Sequence, residues 1–563
     1  MVDRPPRKAW RLLPRASPQE LATLGDLPSP LPQLLHNRDI RTRAEAEAFL
    51  TCDDALFGDP FLLPDMARAV ERVHRAVQAG ETVALFGDFD VDGVSGTALL
   101  ARALSTLGLR VVPYIPHRVK EGHGLNLAAL QLLRQQGATL LITVDCGVSS
   151  VTEVEKAAGL GMETVITDHH TCPALLPPAV AIVNPRAPGS RYPFPHLAGA
   201  GLALKLAQAL LLPEKGPQEW HHGLMGLATL GTIADVVPLL GENRYIVSHG
   251  LRSLSTLGNP GLRALCRLVG LPPGAIDTEA VGWVIGPRLN AAGRMDHAAA
   301  SYELLTTDDP AEADRLAATL EELNGRRKAM TEEALAEAQQ QLADQAELGP
   351  LLMVGAESFS PGVIGLVAGR LVEGFHRPTF ALAIGAEVTT GSGRSIPQFN
   401  LAEALNDCAD LFLRFGGHPQ AAGFTVATPR LAEVRRRLVA LASQRLAGLV
   451  LQPSITIDAE VALGDLAGET YRNLQRLAPF GAANPPPTFL TRGVEVVAAR
   501  LLGARGQHTR LKLRQGRAVW EAMAFDQPWT HGTRRADLVY SVGVDRWNGE
   551  EVLGLVVMDW RPA

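Results

Sequence analysis

The stretch Thr82–Gly93 reads TVALFGDFDVDG: a short apolar run, then Asp88, Asp90 and Asp92, then a glycine. A run this short, ended by a turn signal, reads as a buried strand, and the carboxylates stand where it stops. The pattern recurs along the chain. Leu140–Val144 (LLITV) runs into Asp145-Cys146-Gly147, Thr164–Thr167 into Asp168-His169-His170, and Gly231-Thr232-Ile233-Ala234 into Asp235. Arg110–Ile115 and Val180–Val183 read as further strands, while Ser95–Leu107, Leu127–Gln136 and Val151–Gly159 have apolar residues at helical spacing. Short apolar strands alternating with helices predict an α/β domain built on a parallel sheet with both faces covered. In such sheets ligands collect beyond the carboxyl ends of the strands. Asp88, Asp90, Asp92, Asp145, Asp168 and His169 all fall there.

Acids gathered in one place repel each other unless something positive sits among them. A divalent metal is the natural candidate, and two metals bridged by a carboxylate point to phosphoester chemistry. Each motif also has a plainer reading. Asp90-Val91-Asp92 fits an Asp-rich turn capping a helix as well as it fits a loop embracing ions. Asp145 fits an N-cap, or a bridging carboxylate beside helix N–H groups free to meet a phosphate. Cys146 reads as a small buried filler, because hard, oxygen-seeking metals do not need thiolate. Asp168-His169-His170 is more specific. Adjacent imidazoles diverge, so His169 is expected on the metal, His170 toward a substrate phosphate, and Asp168 holding the ring tautomers. Asp235 stands among small and apolar residues, where an unpartnered acid is costly.

The 563 residues predict roughly three or four domains, and a net charge of −6 is a weak argument against nucleic acid, since local Lys and Arg decide phosphate affinity. Five well-separated cysteines without a C-x-x-C pair argue against a zinc ribbon or a disulfide framework and for a reducing cytoplasm. Met1–Pro18 has no apolar leader core, and no uncharged run is long enough to span a bilayer. Residues 1–64 are expected to pack on the core of a catalytic domain covering 65–308. Asp309-Pro310 opens a connecting helix over 309–349, interrupted at Asn324-Gly325 and closing at Gly349-Pro350. A second, smaller α/β unit follows over 350–450. From 451 to 563 the strand-like runs Thr509–Leu513, Asp537–Val542 and Val552–Val557 predict a β-barrel of the oligonucleotide-binding (OB) type. Arg492, Arg500, Arg505, Arg510, Lys512, Arg514 and Arg517, opposed nearby only by Glu495, form a basic stripe suited to a single strand's backbone; a solvated basic face is the alternative.

In the second unit, Gly391-Ser392-Gly393-Arg394-Ser395 reads as a flexible loop with hydroxyls and a guanidinium for phosphate. Gly416-Gly417-His418 combines close backbone approach with an imidazole donor. With GDFDVDG (87–93), TVDCG (143–147), TDHH (167–170), GTIADVVPL (231–239), GPRLNAAGR (286–294), GSGRS (391–395) and FGGHPQAAGF (415–424), the chain resembles the DHH phosphoesterase superfamily and, within it, the RecJ single-stranded-DNA exonucleases. The resemblance implies a DHH catalytic domain, a DHHA1-type second domain and an OB barrel. It implies Asp90, Asp92, Asp145, His169 and Asp235 as metal ligands with Asp88 nearby, two Mn²⁺ or Mg²⁺ ions, and His170 in catalysis. It places Arg118, Arg288, Asn290, Ser392, Arg394, Gly416, Gly417 and His418 on the DNA, with Arg118 and Arg288 at a terminal 5′ phosphate. Some members carry a His four residues before the equivalent of Asp90. Here that place is Phe86, which leaves Asp88 or water to complete the coordination. The implied activity is 5′ to 3′ release of mononucleotides in repair and recombination, beside a helicase and a single-strand-binding protein. The rivals are a small-substrate phosphodiesterase or pyrophosphatase, and a metal-free scaffold; the complete acid set argues against the second.

Overall fold

The computed structural model describes residues 7–215, 223–256, 258–466, 468–503, 506–527, 529, 533–545 and 552–563. They divide into two compact units, one of residues 58–237 and 249–452, the other of residues 7–57, 238–248 and 453–563. Among the described residues no helix is long and apolar enough to cross a membrane.

In the first unit β1 (Thr82–Gly87), β2 (Arg110–Tyr114), β3 (Ala138–Val144), β4 (Glu163–Thr167) and β5 (Ala181–Val183) form a wholly parallel sheet. Their order is β2-β1-β3-β4-β5. The chain leaves β1 toward one edge and returns to β3 on the other side, so a crevice opens between the carboxyl ends of these two strands. Asp88 follows β1 and Asp145 follows β3, one on each side of that crevice.

Helix α1 (Val91–Thr106) begins inside the acidic stretch, four residues earlier than apolar spacing alone indicates. It is buried almost all round, packed between the sheet and the helices α2 (Gly199–Lys215) and α3 (Leu224–Ala234). Such close packing requires missing side chains. A Cβ on Gly93 would lie 2.6 Å from both the nitrogen and the oxygen of the Asp88 backbone, and one on Gly231 would lie 2.4 Å from Asp92 Oδ1.

Helix α4 (Gly286–Met295) carries the GPRLNAAGR motif and packs on α5 (Pro310–Ala343). Asp309 caps α5 as expected, its Oδ1 accepting from the Ala311 N–H at 2.9 Å. The expected break at Asn324-Gly325 does not occur, and the helix stops at Ala343, short of Gly349. One glycine costs a helix only about 1 kcal/mol, which the buried stripe of Leu316, Leu320 and Leu323 outweighs.

The second sheet joins β6 (Leu352–Ala356), β7 (Thr379–Ile384), β8 (Val388–Arg394), β9 (Arg414–His418) and β10 (Ala421–Ala427) in the order β9-β10-β8-β7-β6, with helix α6 (Ile364–Phe375) on one face. Only β6 and β7 run parallel. Gly391–Arg394 is therefore strand, where a flexible loop is expected. The glycines serve the sheet's buried face, since a Cβ on Gly391 or Gly393 would lie 2.5 Å from the ring of Phe424 or Phe380 respectively.

In the second unit β11 (Phe489–Leu502), β12 (His508–Gln515), β13 (Ala518–Ala524), β14 (Arg535–Asp545) and β15 (Val552–Pro562) pair in the order β11-β12-β13-β15-β14, and β14 pairs back with β11. The result is a closed five-stranded barrel with no free edge. The expectation that residues 1–64 pack on the catalytic core needs correction. Residues 1–6 lie outside the described residues, and 7–57 belong to the barrel unit. Strand Ala9–Leu12 pairs parallel with Ser454–Ile457, and Leu31, Leu34, Leu35 and Phe49 join the barrel's apolar core. Residues 238–248, expected in the catalytic domain, also belong here. Arg244 explains this: buried and stacked on Phe49, it donates to the carbonyls of Phe49, Arg476, Leu477 and Ala478.

The basic stripe is partly neutralised. Arg514 pairs with Glu495 across the strands, Arg510 with Glu521, and Arg492 with Glu460 and Asp537. Arg505 lies outside the described residues.

Two glycines should respond oppositely to alanine. Gly325→Ala, exposed in α5 with nothing within 4 Å of its new methyl, should raise urea-unfolding stability by about 1 kcal/mol. Gly93→Ala should lower it by about 1–3 kcal/mol, because the Asp88 backbone must move.

Candidate metal centre

Asp90 is the N-cap of α1, its Oδ1 accepting from the N–H groups of Asp92 at 2.9 Å and Gly93 at 3.2 Å. The capping reading and the ion-holding reading are thus compatible, since capping occupies one oxygen and leaves Oδ2. Asp92 lies in the first turn of the helix and points at the start of α2. Its Oδ2 accepts from Gly199 N–H at 2.7 Å and its Oδ1 from Ala200 N–H at 2.8 Å. Both oxygens keep lone pairs for a cation. Gly199 is required there, because its Cβ would lie 2.5 Å from the Cβ of Asp145. Nothing in the isolated LAGAGLAL stretch marks it as part of this site.

Asp145 has φ +63, and Val236, next to Asp235, has φ +60. That conformation is uncommon for an aspartate and an outlier for a β-branched valine, and strain of this kind concentrates at functional sites. Here it turns the two carboxylates inward. His169 Nε2 lies 3.1 Å from Asp145 Oδ1, 3.6 Å from Asp235 Oδ2 and 3.9 Å from Asp92 Oδ2. Three donor groups have ligating atoms within 4.8 Å of one another: Asp88, Asp90 and Asp145; Asp92, His169 and Asp235; Asp145, His169 and His170. Asp145 appears on both sides of the cluster, the position of a bridge.

The buried acids repel one another, and a cation among them would relieve that repulsion. Burial and then Asp90 push the Asp92 carboxyl up to about 7. Burial, Asp92 and Asp90 push Asp235 up to about 9, and burial with four neighbouring aspartates drives Asp145 well above the carboxylate range. Among the described residues, Asp145 Oδ1 and both ring nitrogens of His169 are buried without a hydrogen bond. Burial, then His170, pushes His169 down to about 3, so its imidazole is neutral and able to ligate. Carboxylate oxygens with one imidazole suit a hard divalent ion.

Asp168 stays outside this cage. Its Oδ1 meets His170 Nδ1 at 2.7 Å and the His170 N–H at 3.0 Å, and its Oδ2 accepts from Val148 N–H at 2.9 Å. It therefore orients His170 rather than His169. Burial would raise the Asp168 carboxyl, but the His170 contact holds it below its ordinary value. The Val148 N–H, in the turn between Asp145 and the next helix, is committed to Asp168.

His418 of β9 stacks on His170 at 6.0 Å between centroids, carried on an exposed edge strand in which Gly417 has φ +136. Ser392 and Arg394 share the half-exposed face of β8, against Gly365 at the start of α6. Arg118 lies 4.7 Å over the Phe89 ring. Arg288 and Asn290 go elsewhere than expected. Arg288 pairs with Glu321 of α5 and donates to the Val284 carbonyl, while Asn290 Oδ1 accepts from the Val91 N–H at 3.2 Å. Arg294 joins Arg118 and Arg394 instead. Arg294 donates to the Gly362 carbonyl at 3.2 Å, and burial, then Arg118, Arg394 and Arg327, pushes its guanidinium down to about 9. On a helix Asn290 and Arg294 share a face and Arg288 does not, so the spacing is the signal that identifies Arg294. His123, whose Nδ1 lies 3.1 Å from Asp88 Oδ1, carried no sequence signal.

Three domain descriptions match in order: the DHH family N-terminal domain over residues 82–232, the DHHA1 domain over 349–448, and the RecJ OB domain over 457–559. The chain is 37% identical to the single-stranded-DNA-specific exonuclease RecJ of Bacillus subtilis, over 93% of this chain and 67% of that one. It is 34% identical to the protein of the same description from Dickeya dadantii, over 94% and 96% of the two chains. The crystal structure of RecJ in complex with Mn²⁺ from Thermus thermophilus superposes with a TM-score of 0.84 at 30% identity, covering 99% of this chain and 80% of that one. Similarity along nearly the whole length, with all three domains in the same order, shows that the chain belongs to the RecJ family.

Proposed function

We propose that this chain is a metal-dependent exonuclease that hydrolyses single-stranded DNA from the 5′ end and releases 5′-mononucleotides, acting in DNA repair and recombination. The observation that carries the reading is the pairing, within one compact unit, of an acidic cage with a pocket of guanidiniums that have burial and each other as their main influences. The first holds cations and the second holds an anion. A strand whose terminal phosphate enters the second pocket presents an internal phosphodiester to the first.

Asp88, Asp90, Asp92, Asp145, His169 and Asp235 would hold two Mn²⁺ or Mg²⁺ ions, with Asp145 shared between them. Bound there, the ions would activate a water and offset charge developing on the phosphate and the leaving oxygen. His170, turned by Asp168 at Nδ1, keeps Nε2 for a phosphate oxygen, and His418 lies parallel to it from the second sheet. Arg118, Arg294, Arg394 and Ser392, at the start of α6, suit the terminal phosphate through guanidinium forks, a hydroxyl and a helix N-terminus. Gly416 and Gly417 leave the edge strand bare for the nucleotide backbone. A helicase and a single-strand-binding protein fit as partners for an enzyme that takes single strands, and free cysteines fit the cytoplasm.

Digestion of matched 5′- and 3′-labelled single strands should release labelled mononucleotide first from the 5′ label in Mn²⁺, with no release in chelator and little from duplex. Equal or faster hydrolysis of pyrophosphate or dinucleotides would favour the small-substrate reading. Asp145→Ala should lower turnover on the order of 10³-fold, with strand binding measured by fluorescence anisotropy changed little. Asp168→Asn preserves shape but loosens His170, and should cost activity about 10–100-fold; unchanged kcat/KM would remove its orienting role.

A further inference from the structure

The segment His117–Asn126 leaves β2 and enters the helix Leu127–Gln135 without regular structure of its own. Gly122 and Gly124 hold φ of +82 and +90, so the local backbone alone does not define its course. His117 closes the turn locally, its Nδ1 accepting from the Val119 N–H at 3.2 Å and its carbonyl from the Glu121 N–H at 2.9 Å, and one further side chain fastens that turn to its surroundings. Glu121 Oε1 accepts from the Tyr114 hydroxyl at 2.6 Å and from Asn126 Nδ2 at 3.0 Å, and Oε2 accepts from the His117 N–H at 2.6 Å. Asn126 is itself the cap of the next helix, its Oδ1 accepting from the Ala129 N–H at 2.9 Å. A single carboxylate thereby ties the end of a strand, the turn after it and the start of a helix.

Two side chains of the tethered segment face the reaction site. Arg118 lies over Phe89, between the acids at 88 and 90, and contributes positive charge at Asp90 and in the pocket of Arg294 and Arg394. His123 reaches Asp88 and sets its ring 5.3 Å from that of His170. Glu121 makes its hydrogen bonds to Tyr114, His117 and Asn126, none of them an acid of the cage or an arginine. A carboxylate this fully used by neutral donors organises backbone and does not take part in the chemistry.

We propose that Glu121 is the positioning residue that sets where Arg118 meets the terminal phosphate, and so governs preference for a 5′-phosphorylated strand end. The inference rests on the reading of Arg118 given above. Its effect is steric placement, and displacement of such a group by about 1 Å is enough to cost up to 10²-fold.

The test measures kcat and KM on the same strand with a 5′-phosphate and with a 5′-hydroxyl, for the full chain and for Glu121→Ala, Tyr114→Phe, Arg118→Ala and the Glu121→Ala/Arg118→Ala double variant. Glu121→Ala should lower the phosphate-over-hydroxyl ratio of kcat/KM by about tenfold or more, chiefly through KM. Tyr114→Phe, which keeps the carboxylate and its other donors, should shift the ratio the same way by less, and it carries the test if Glu121→Ala fails to fold. The double variant should be no worse than Arg118→Ala, because both changes remove one function. An unchanged ratio in Glu121→Ala and Tyr114→Phe, or fully additive losses, would overturn the positioning role while leaving Arg118 in place. An unchanged ratio in Arg118→Ala would overturn the terminal-phosphate reading and this inference with it.

Discussion

Buried like charge is the constraint that organises this protein. Asp88, Asp90, Asp92, Asp145 and Asp235 meet in one cluster, with Asp92, Asp145 and Asp235 around His169, and burial with mutual repulsion raises the carboxyl groups of Asp90, Asp92, Asp145 and Asp235. Such a cluster persists only with positive charge in its midst and fixed dipoles behind it. The dipoles are visible: the N-terminus of α2 on Asp92 and the first turn of α1 on Asp90. The glycines at 93, 199 and 231 follow from the same demand, since each lets a backbone or carboxylate approach where a methyl group would collide.

The opposite charge is gathered in the same unit but kept apart. Arg118, Arg294 and Arg394 come from the loop after β2 of the first sheet, a helix between the sheets and a strand of the second sheet, so they are gathered only when these parts are assembled. His418 reaches His170 from that second sheet as well. In the proposed reading a substrate phosphate would meet groups from both sheets of one unit, which would give it an orientation relative to the acids. That orientation is what a directional nuclease requires.

The second unit solves a different problem. Its barrel closes its own edges, and the segments 7–57 and 238–248 complete its core through a parallel strand pair and through Arg244, a charge satisfied by carbonyls and an aromatic face. Its outer basic residues are moderated by Glu495, Glu521, Glu460 and Asp537. Surface pairs of this kind are weak, so a polyanion can compete for the same guanidiniums.

Most of the first sheet was legible in sequence, because short apolar runs that end in charge have few other readings, and Asp88, Asp145 and Asp168 follow such strands; Asp235 does not, since the run before it is the end of helix α3 rather than a strand. What could not be read depends on neighbours distant in the chain. The glycines of the GSGRS motif suggested a loop, and only Phe380 and Phe424 show why they sit in a strand. The sequence reading selects Arg288 from its motif, but Arg288 pairs with Glu321 of α5, and Arg294, one turn beyond Asn290, is passed over. The affiliation of residues 7–57, the unbroken course of α5 and the role of Gly199 belong to the same class. Local pattern determines which residues must be buried or charged together; which surfaces meet, and so which partner each polar group finds, is decided by the free energy of packing the whole chain.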